Sequence, residues 1–167
     1  MPENPAVAQI VAADRSDLAL MHFLLNSPAA RATAGSLRSG AEIAMSFTDL
    51  DGDWRIYLDD AGAIAFESGK ALDPDFALRM PPRAVRSICS QLDADAGDMG
   101  VAFFEHIVSR DPQLKIQVAL HSGLLKLTRR GWLGALTRGG SKIVMWLATK
   151  GLRGPGAIAT ALQRLKS

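Results

Sequence analysis

The sequence predicts an α+β fold: a single, mostly antiparallel five-stranded sheet covered by helices, with an N-terminal helical extension and C-terminal amphipathic helices. Three observations predict it. Apolar residues recur at helical spacing before residue 40 and after residue 121. Between those limits, short segments alternate apolar and polar residues with period two and are separated by Asp- and Gly-rich turns. A chain of 167 residues, 48% hydrophobic and 22% charged, has the size and balance of one domain that buries about 70% of its unfolded surface. No repeat, low-complexity tract or long linker divides it, so residues 1–167 are taken as one domain. Within it, residues 1–40 form the extension, 41–120 the sheet-and-helix core and 121–167 the basic helical part.

The elements follow in order. Met1–Pro5 has little to bury and is expected to be loose. Ile10, Leu18, Leu20, Met21, Phe23, Leu24 and Leu25 make an apolar stripe that ends at the turn signal Asn26-Ser27-Pro28. A second short helix is expected over Ala29–Leu37. Ile43, Met45 and Phe47 then alternate with polar or small residues, Asp49-Leu50-Asp51-Gly52 turns the chain, and Trp54, Ile56 and Leu58 alternate again: a hairpin. Asp59-Asp60-Ala61-Gly62 leads to a third strand over Ala63–Glu67, and Phe76, Leu78 and Met80 mark a fourth after Asp73-Pro74-Asp75. Four antiparallel strands in succession are the economical arrangement. Proline is tolerated in a first helical turn, so a helix is expected over Pro82–Leu92, and another over Asp98–Val108. Leu114, Ile116 and Val118 alternate with Lys115 and Gln117 in a fifth strand over Leu114–Leu120. From Ser122 the pattern is helical in three pieces, broken at Gly139-Gly140 and across Gly151–Gly156, the last carrying Ile158, Leu162 and Leu165.

Charge divides the chain. Residues 1–107 carry net −8 and residues 108–167 net +10, although the total is only +2. A basic C-terminal third attracts phosphate, an anionic membrane or the protein's own acidic part. No apolar run approaches the roughly 18 residues of a membrane span, and the N-terminus lacks a basic stretch followed by an apolar core, so a non-secreted, cytoplasmic protein is expected, with peripheral membrane contact. One cysteine, Cys89, excludes an internal disulfide.

The segments DPDFALRMPPRAVRSI, VAFFEH and LKIQV, in this order after three turn-linked strands and before a leucine-rich helix, resemble the sterol-carrier-protein-2 domain family over roughly residues 40–128. The longer Glu105–Gln113 connection departs from that family's tight turn. The resemblance implies lipid binding: an apolar tunnel between sheet and helices that accepts a fatty acyl chain, sterol or isoprenoid, with no chemistry performed and no cofactor. Phe66, Phe76, Met80, Ile88, Phe103, Phe104, Leu114 and Ile116 would face such a cavity, joined by Leu124, Trp132 and Trp146 from the C-terminal helices. Mobile methionine and aromatic side chains suit an adaptable apolar ligand, while ordinary core packing is the alternative for each of them.

Motifs for other chemistry are missing. His22, His106 and His121 have no metal-ligand spacing, and no Gly-x-Ser-x-Gly elbow supports a hydrolase. Asp49, Asp51 and Asp53 open like a calcium loop, yet position twelve holds Asp60 in place of glutamate. Neither glycine pair of the C-terminal part follows a strand or ends in Gly-Lys-Ser/Thr, so no phosphate cradle is expected. No metal and no catalysis are expected.

The basic part is amphipathic. As one helix, Leu124–Leu136 gathers Leu124, Leu125, Thr128, Trp132, Ala135 and Leu136 on one face, opposite Lys126 and Arg130, and Ile143, Val144, Trp146 and Leu147 oppose Lys142. These faces cover the sheet, and Lys126, Arg129, Arg130, Arg138 and Lys142 are candidates to meet an anionic surface, each basic residue near a membrane contributing about 1 kcal/mol. Solvated or internally neutralised cations are the plain alternative. The expected function is binding or transfer of a lipid-like small molecule. The alternative is an accessory protein for a lipid-metabolising enzyme, and nucleic-acid binding is not expected, because Trp132 and Trp146 fall on apolar faces.

Overall fold

The computed structural model describes residues 21–22, 24–90, 95–138 and 140–153, with Thr160 and Arg164; the side chains of Ala96, Gly140, Ser141 and Val144 are not described. Most of the first expected helix, the loose Met1–Pro5, Leu92 and the last expected helix with Ile158, Leu162 and Leu165 lie outside the described residues. The fold is α+β. Strands β1 (Glu42–Phe47), β2 (Trp54–Leu58), β3 (Ile64–Ser68), β4 (Phe76–Met80) and β5 (Gln117–Leu120) form one sheet. Helices α1 (Pro28–Ala34), α2 (Pro82–Cys89), α3 (Ala96–Val108), α4 (Leu124–Arg129), α5 (Trp132–Thr137) and α6 (Gly140–Thr149) accompany it. Met21, His22, Leu24 and Leu25, ahead of α1, are also helical.

The sheet order is β3-β2-β1-β4-β5. The hairpin β1–β2 and the pairing β2–β3 are antiparallel, as expected, and so is β4–β5. The fourth strand departs from the simple succession: β4 lies beside β1 and runs parallel to it, Ile43 opposite Phe76 and Phe47 opposite Met80. The physical reason is burial. β4 carries Phe76, Leu78 and Met80, all buried, and belongs next to the equally apolar β1, whereas β3 ends in exposed Glu67 and Ser68 and suits an edge. Residues 69–75 make the crossing over the face that carries Glu42, whose buried carboxylate accepts the N–H groups of Leu72 and Asp73. The buried crossover backbone is thereby satisfied.

The opposite face holds the core. Met45, Phe47, Leu78, Met80, Val85, Ile88 and Ile116 form one buried cluster with Met21 and Leu24, and Phe76, Phe104, Leu120, Leu127, Ile143 and Leu147 form a second. Each such side chain contributes about 1.5–3 kcal/mol by leaving water. Ser27 caps α1, its Oγ accepting from Ala30 N–H, and Asp95 caps α3 by accepting from Asp98 N–H. α3 and α6 pack closely at Gly100, where a Cβ would lie 2.7 Å from Ile143 Cδ1.

Several boundaries move: the helix expected over Ala29–Leu37 is Pro28–Ala34, capped at Gly35, the third strand is Ile64–Ser68, and α3 begins at Ala96, while two larger changes have a cause in distant or turn contacts. The fifth strand begins at Gln117 and not at Leu114, because Asp111 gathers the N–H groups of Gln113, Leu114 and Lys115 into a turn. The expected single helix Leu124–Leu136 breaks at Gly131, which adopts φ +83°, and a Cβ there would lie 1.9 Å from the Ser36 carbonyl oxygen. Only glycine combines that close approach with a left-handed conformation. The break turns Leu124, Leu125 and Thr128 outward and makes Leu127 the buried residue of α4.

Candidate functional site

The helices on the core face do not fill the space above the sheet. A cavity of about 240 Å³ lies between β1–β3, α1, α3 and α5. Ile43, Ile56, Leu58 and Ile64 contribute from the sheet, Met99, Phe103 and Phe104 from α3, and Trp132, Ala135 and Leu136 from α5. The side above is walled by Leu24, Leu25 and α1, whose Ala29, Ala30, Thr33 and Ala34 are too short to reach the sheet. The space is what those small side chains leave. Ala30, Thr33, Ala34, Leu37, Leu58 and Ile64 are half-buried and form its open side, while Ala29, Ala41, Ile88, Ala135 and Ile143 are buried and belong to its enclosed part.

Among the described lining residues only Thr33, Tyr57 and Trp132 carry a polar side-chain atom. The Trp132 indole spends its single donor elsewhere: Nε1–H donates to Asp75 Oδ2 at 2.7 Å, while the ring packs edge-on against Phe76. Trp132 therefore presents an apolar ring, with no free donor, to the cavity.

Asp75 anchors the adjoining polar cluster. Its side chain is 0% exposed and accepts from Ser122 Oγ at 2.5 Å, from Arg130 Nη1 at 2.7 Å and from Trp132 Nε1, with a longer bond from Glu42 N–H at 3.3 Å. Its backbone receives His121 and Ser122 N–H on the carbonyl and donates to Glu42 O. A buried carboxylate is tolerable only when so fully bonded. Arg130 also donates from Nη2 to Asp73 at 2.6 Å, and Lys126 Nζ reaches both Asp73 oxygens at 2.7 and 2.8 Å. Hydrogen bonds from Lys126 first, then from Arg130, hold the Asp73 carboxyl below the ordinary carboxylate range. For Arg130, burial pulls the guanidinium down, but Asp73 and Asp75 outweigh it and leave its pKa raised.

The structure brings together four of the apolar residues predicted from sequence, Ile88, Phe103, Phe104 and Trp132, on the cavity wall. Phe66, Phe76, Met80 and Ile116 pack in or against the core clusters, Phe66 edge-on to His22. Leu114 sits half-buried in the turn before β5, Leu124 is exposed on α4, and Trp146 stacks on the far side of Phe104. Of the five cations, Lys126 and Arg130 pair with Asp73 and Asp75, and Lys142 pairs with Asp95 and Asp98 at 2.7 and 2.9 Å, which holds the Asp95 carboxyl low. Arg138 donates from Nε to Ser36 Oγ, and Arg129 is exposed with no ion pair among the described residues. Sequence reasoning missed the alanines of α1 and the anchor Asp75. A helix written PAARATA, too small on its inner side to fill a core, was the available signal for the first.

His106 Nδ1 lies 2.6 Å from Ala102 O within its own helix, His121 is exposed, and no histidine lines the cavity. Asp49, Asp51 and Asp53 are exposed in the β1–β2 turn, and no group of three or more metal-ligating side chains occurs among the described residues. No helix among the described residues is long and apolar enough to cross a membrane.

Fold and site together define an α+β domain with an open mixed sheet and an apolar cavity beneath its helices. Among solved structures the chain is similar to one described as a UbiJ-SCP2 ubiquinone synthesis protein, at 13% identity over 83% of this chain and 95% of that one, with a TM-score of 0.41. No protein-family model and no curated protein matches the chain.

Proposed function

We propose that this protein binds an apolar, lipid-like molecule, a fatty acyl, sterol or isoprenoid group, and carries or presents it without transforming it. The observation that carries this reading is the cavity of about 240 Å³ whose wall, among the described residues, is apolar except for Thr33 and Tyr57, Trp132's donor being consumed by Asp75. The described lining offers a ligand aliphatic and aromatic contacts, which suit a hydrocarbon segment. A hydrocarbon segment gains about 0.8 kcal/mol per CH₂ on leaving water, and a bilayer offers it about the same, so exchange between membrane and cavity is nearly balanced. The cavity is smaller than the roughly 300–1,000 Å³ that encloses a drug-sized ligand, so a long-chain lipid enters only in part. The remainder stays in a bilayer or against a partner enzyme, which keeps the accessory reading beside the carrier one, with peripheral membrane contact from the cytoplasm. Native mass spectrometry of gently purified protein, followed by titration with fluorescent fatty acids and sterols in vesicle-free solution, tests the proposal. Saturable uptake supports it, and a protein that is empty and takes up none of the probes refutes it.

A further inference from the structure

A second pocket, of about 280 Å³, opens where α3 and α6 end beside each other. Phe104, Ile107 and Val108 from α3, Trp146 and Leu147 from α6, and Leu152 beyond it make the apolar wall. Lys150 and Arg164 bring the only charges of the described lining. Phe104 is the one described residue that this pocket shares with the cavity under the helices. The pocket is open to water, for Trp146 is half-buried and Val108 is 52% exposed.

A short stack of rings places one of the cations. Trp146 stacks on Phe104 with ring centroids 5.7 Å apart, and Lys150 Nζ lies over the Trp146 ring, 5.4 Å from its centroid. Lys150 and Arg164 are exposed, and neither has an ion pair among the described residues. The last carbonyls of α6 are taken by its own end: Trp146 O accepts from Thr149 Oγ1, Leu147 O from the N–H groups of Lys150 and Leu152, and Ala148 O from Gly151 N–H. Glu105, the carboxylate next in sequence to Phe104, is exposed and forms no part of the described lining.

From these observations we infer that the pocket is a binding site for a small apolar anion, a carboxylate carried on a short alkyl chain. Its oxygens accept charge-assisted hydrogen bonds from Lys150 Nζ and the Arg164 guanidinium, and its chain lies against Phe104, Val108 and Trp146. The volume is below the roughly 300–1,000 Å³ of a site for a drug-sized molecule, so the chain is short. A neutral molecule of the same shape gains the apolar wall and leaves both cations unpaired, so charge is what selects the ligand. The site is independent of the lipid-binding proposal, because the described lining of the other cavity carries no charged side chain to receive a carboxylate.

Proton–nitrogen NMR titration of the full chain with sodium hexanoate, and with 1-hexanol as its neutral counterpart, tests it. Hexanoate is expected to shift the Trp146 indole N–H signal saturably, assigned by its loss in Trp146→Phe, and to bind at least fivefold more tightly than hexanol. That preference shrinks as salt rises. Lys150→Gln and Arg164→Gln each weaken hexanoate binding by up to about fivefold, the double variant brings it down to the hexanol value, and the melting curve is unchanged because both residues are exposed. The inference is overturned if hexanoate shifts no indole signal, if hexanol binds as well, or if the double variant keeps the preference. It is equally overturned if hexanoate moves the Trp132 indole signal and leaves that of Trp146 in place, which would put the anion in the other cavity. Titration of the double variant with a fluorescent fatty acid separates the two readings: lost hexanoate binding with intact fatty-acid uptake affects only this pocket. Intact hexanoate binding by a wild type that takes up no fatty acid or sterol refutes only the lipid proposal.

Discussion

Replacing Asp75 by alanine removes the acceptor on which the Trp132 indole, the Ser122 hydroxyl and the Arg130 guanidinium converge. The Ser122 side chain lies in a buried residue, so its hydroxyl loses its partner without gaining water. Each donor left unsatisfied in a buried site costs about 1–3 kcal/mol, and removing one partner of a buried ion pair costs about 3–5 kcal/mol. Arg130 keeps Asp73, which caps the loss, and the expected destabilisation of Asp75→Ala is therefore about 3–5 kcal/mol. Domains of this size have a stability of about 5–15 kcal/mol, and 1 kcal/mol moves Tm by about 2–4 °C, so a fall of about 6–20 °C is expected. Urea unfolding followed by circular dichroism, with tryptophan emission recorded in parallel, measures it. Asp75→Asn keeps the shape but points an amide N–H₂ at one of the donors, and is expected to fall between wild type and Asp75→Ala. A change within about 0.5 kcal/mol for Asp75→Ala, the range of ordinary surface substitutions, would refute the role of the cluster as the tie between the sheet and α4–α5.

Other outcomes follow from the same geometry. Gly131→Ala forces a side chain into a left-handed conformation and against the Ser36 carbonyl, so it is expected to destabilise by more than the roughly 1–2 kcal/mol of the backbone strain alone, read from the urea midpoint. Ala135→Leu puts a larger apolar side chain into the cavity; uptake of a fluorescent fatty acid falls at least tenfold while Tm stays within a few degrees, and unchanged uptake would move the binding site elsewhere. The Asp73 and Asp95 carboxyls have depressed pKa values in the folded protein, so their contribution to stability is present above the unfolded value and is lost as pH falls from about 4 downward. In acid urea titrations Asp73→Asn flattens that loss, and added salt weakens it in the wild type, because both groups are exposed.

Much of the fold was legible because it is written in local period. Ile43, Met45 and Phe47 against Trp54, Ile56 and Leu58 announce a hairpin whatever surrounds them, and Pro82 announces the start of α2. The neighbour of β4 was not legible, since the choice between β1 and β3 depends on which strand is buried deeper, a property of the finished sheet. Nor was the break before α5: the apolar spacing of Leu124–Leu136 continues through Gly131, and the reason for the glycine is the carbonyl of Ser36, far away in the chain. At the site, the aromatic wall of Phe103, Phe104 and Trp132 could be read from residue type. The other wall could not, because it consists of what Ala30 and Ala34 lack. The cations show a similar limit: Lys126, Arg130 and Lys142 look alike in sequence to Arg129, and only the folded positions of Asp73, Asp75, Asp95 and Asp98 tell them apart.

The Trp132 bond to Asp75 makes the cavity mechanically lopsided. On one side stands a ring clamped at its edge by a buried carboxylate and braced by Phe76; on the other stands α1, two turns long, with Ala29 as its buried residue. A guest that needs more room would meet on one side a ring fixed by a hydrogen bond and on the other a short helix held by the packing of small side chains. Guests of different girth would thus be told apart by how far α1 is displaced, with the indole serving as the fixed jaw against which each is measured.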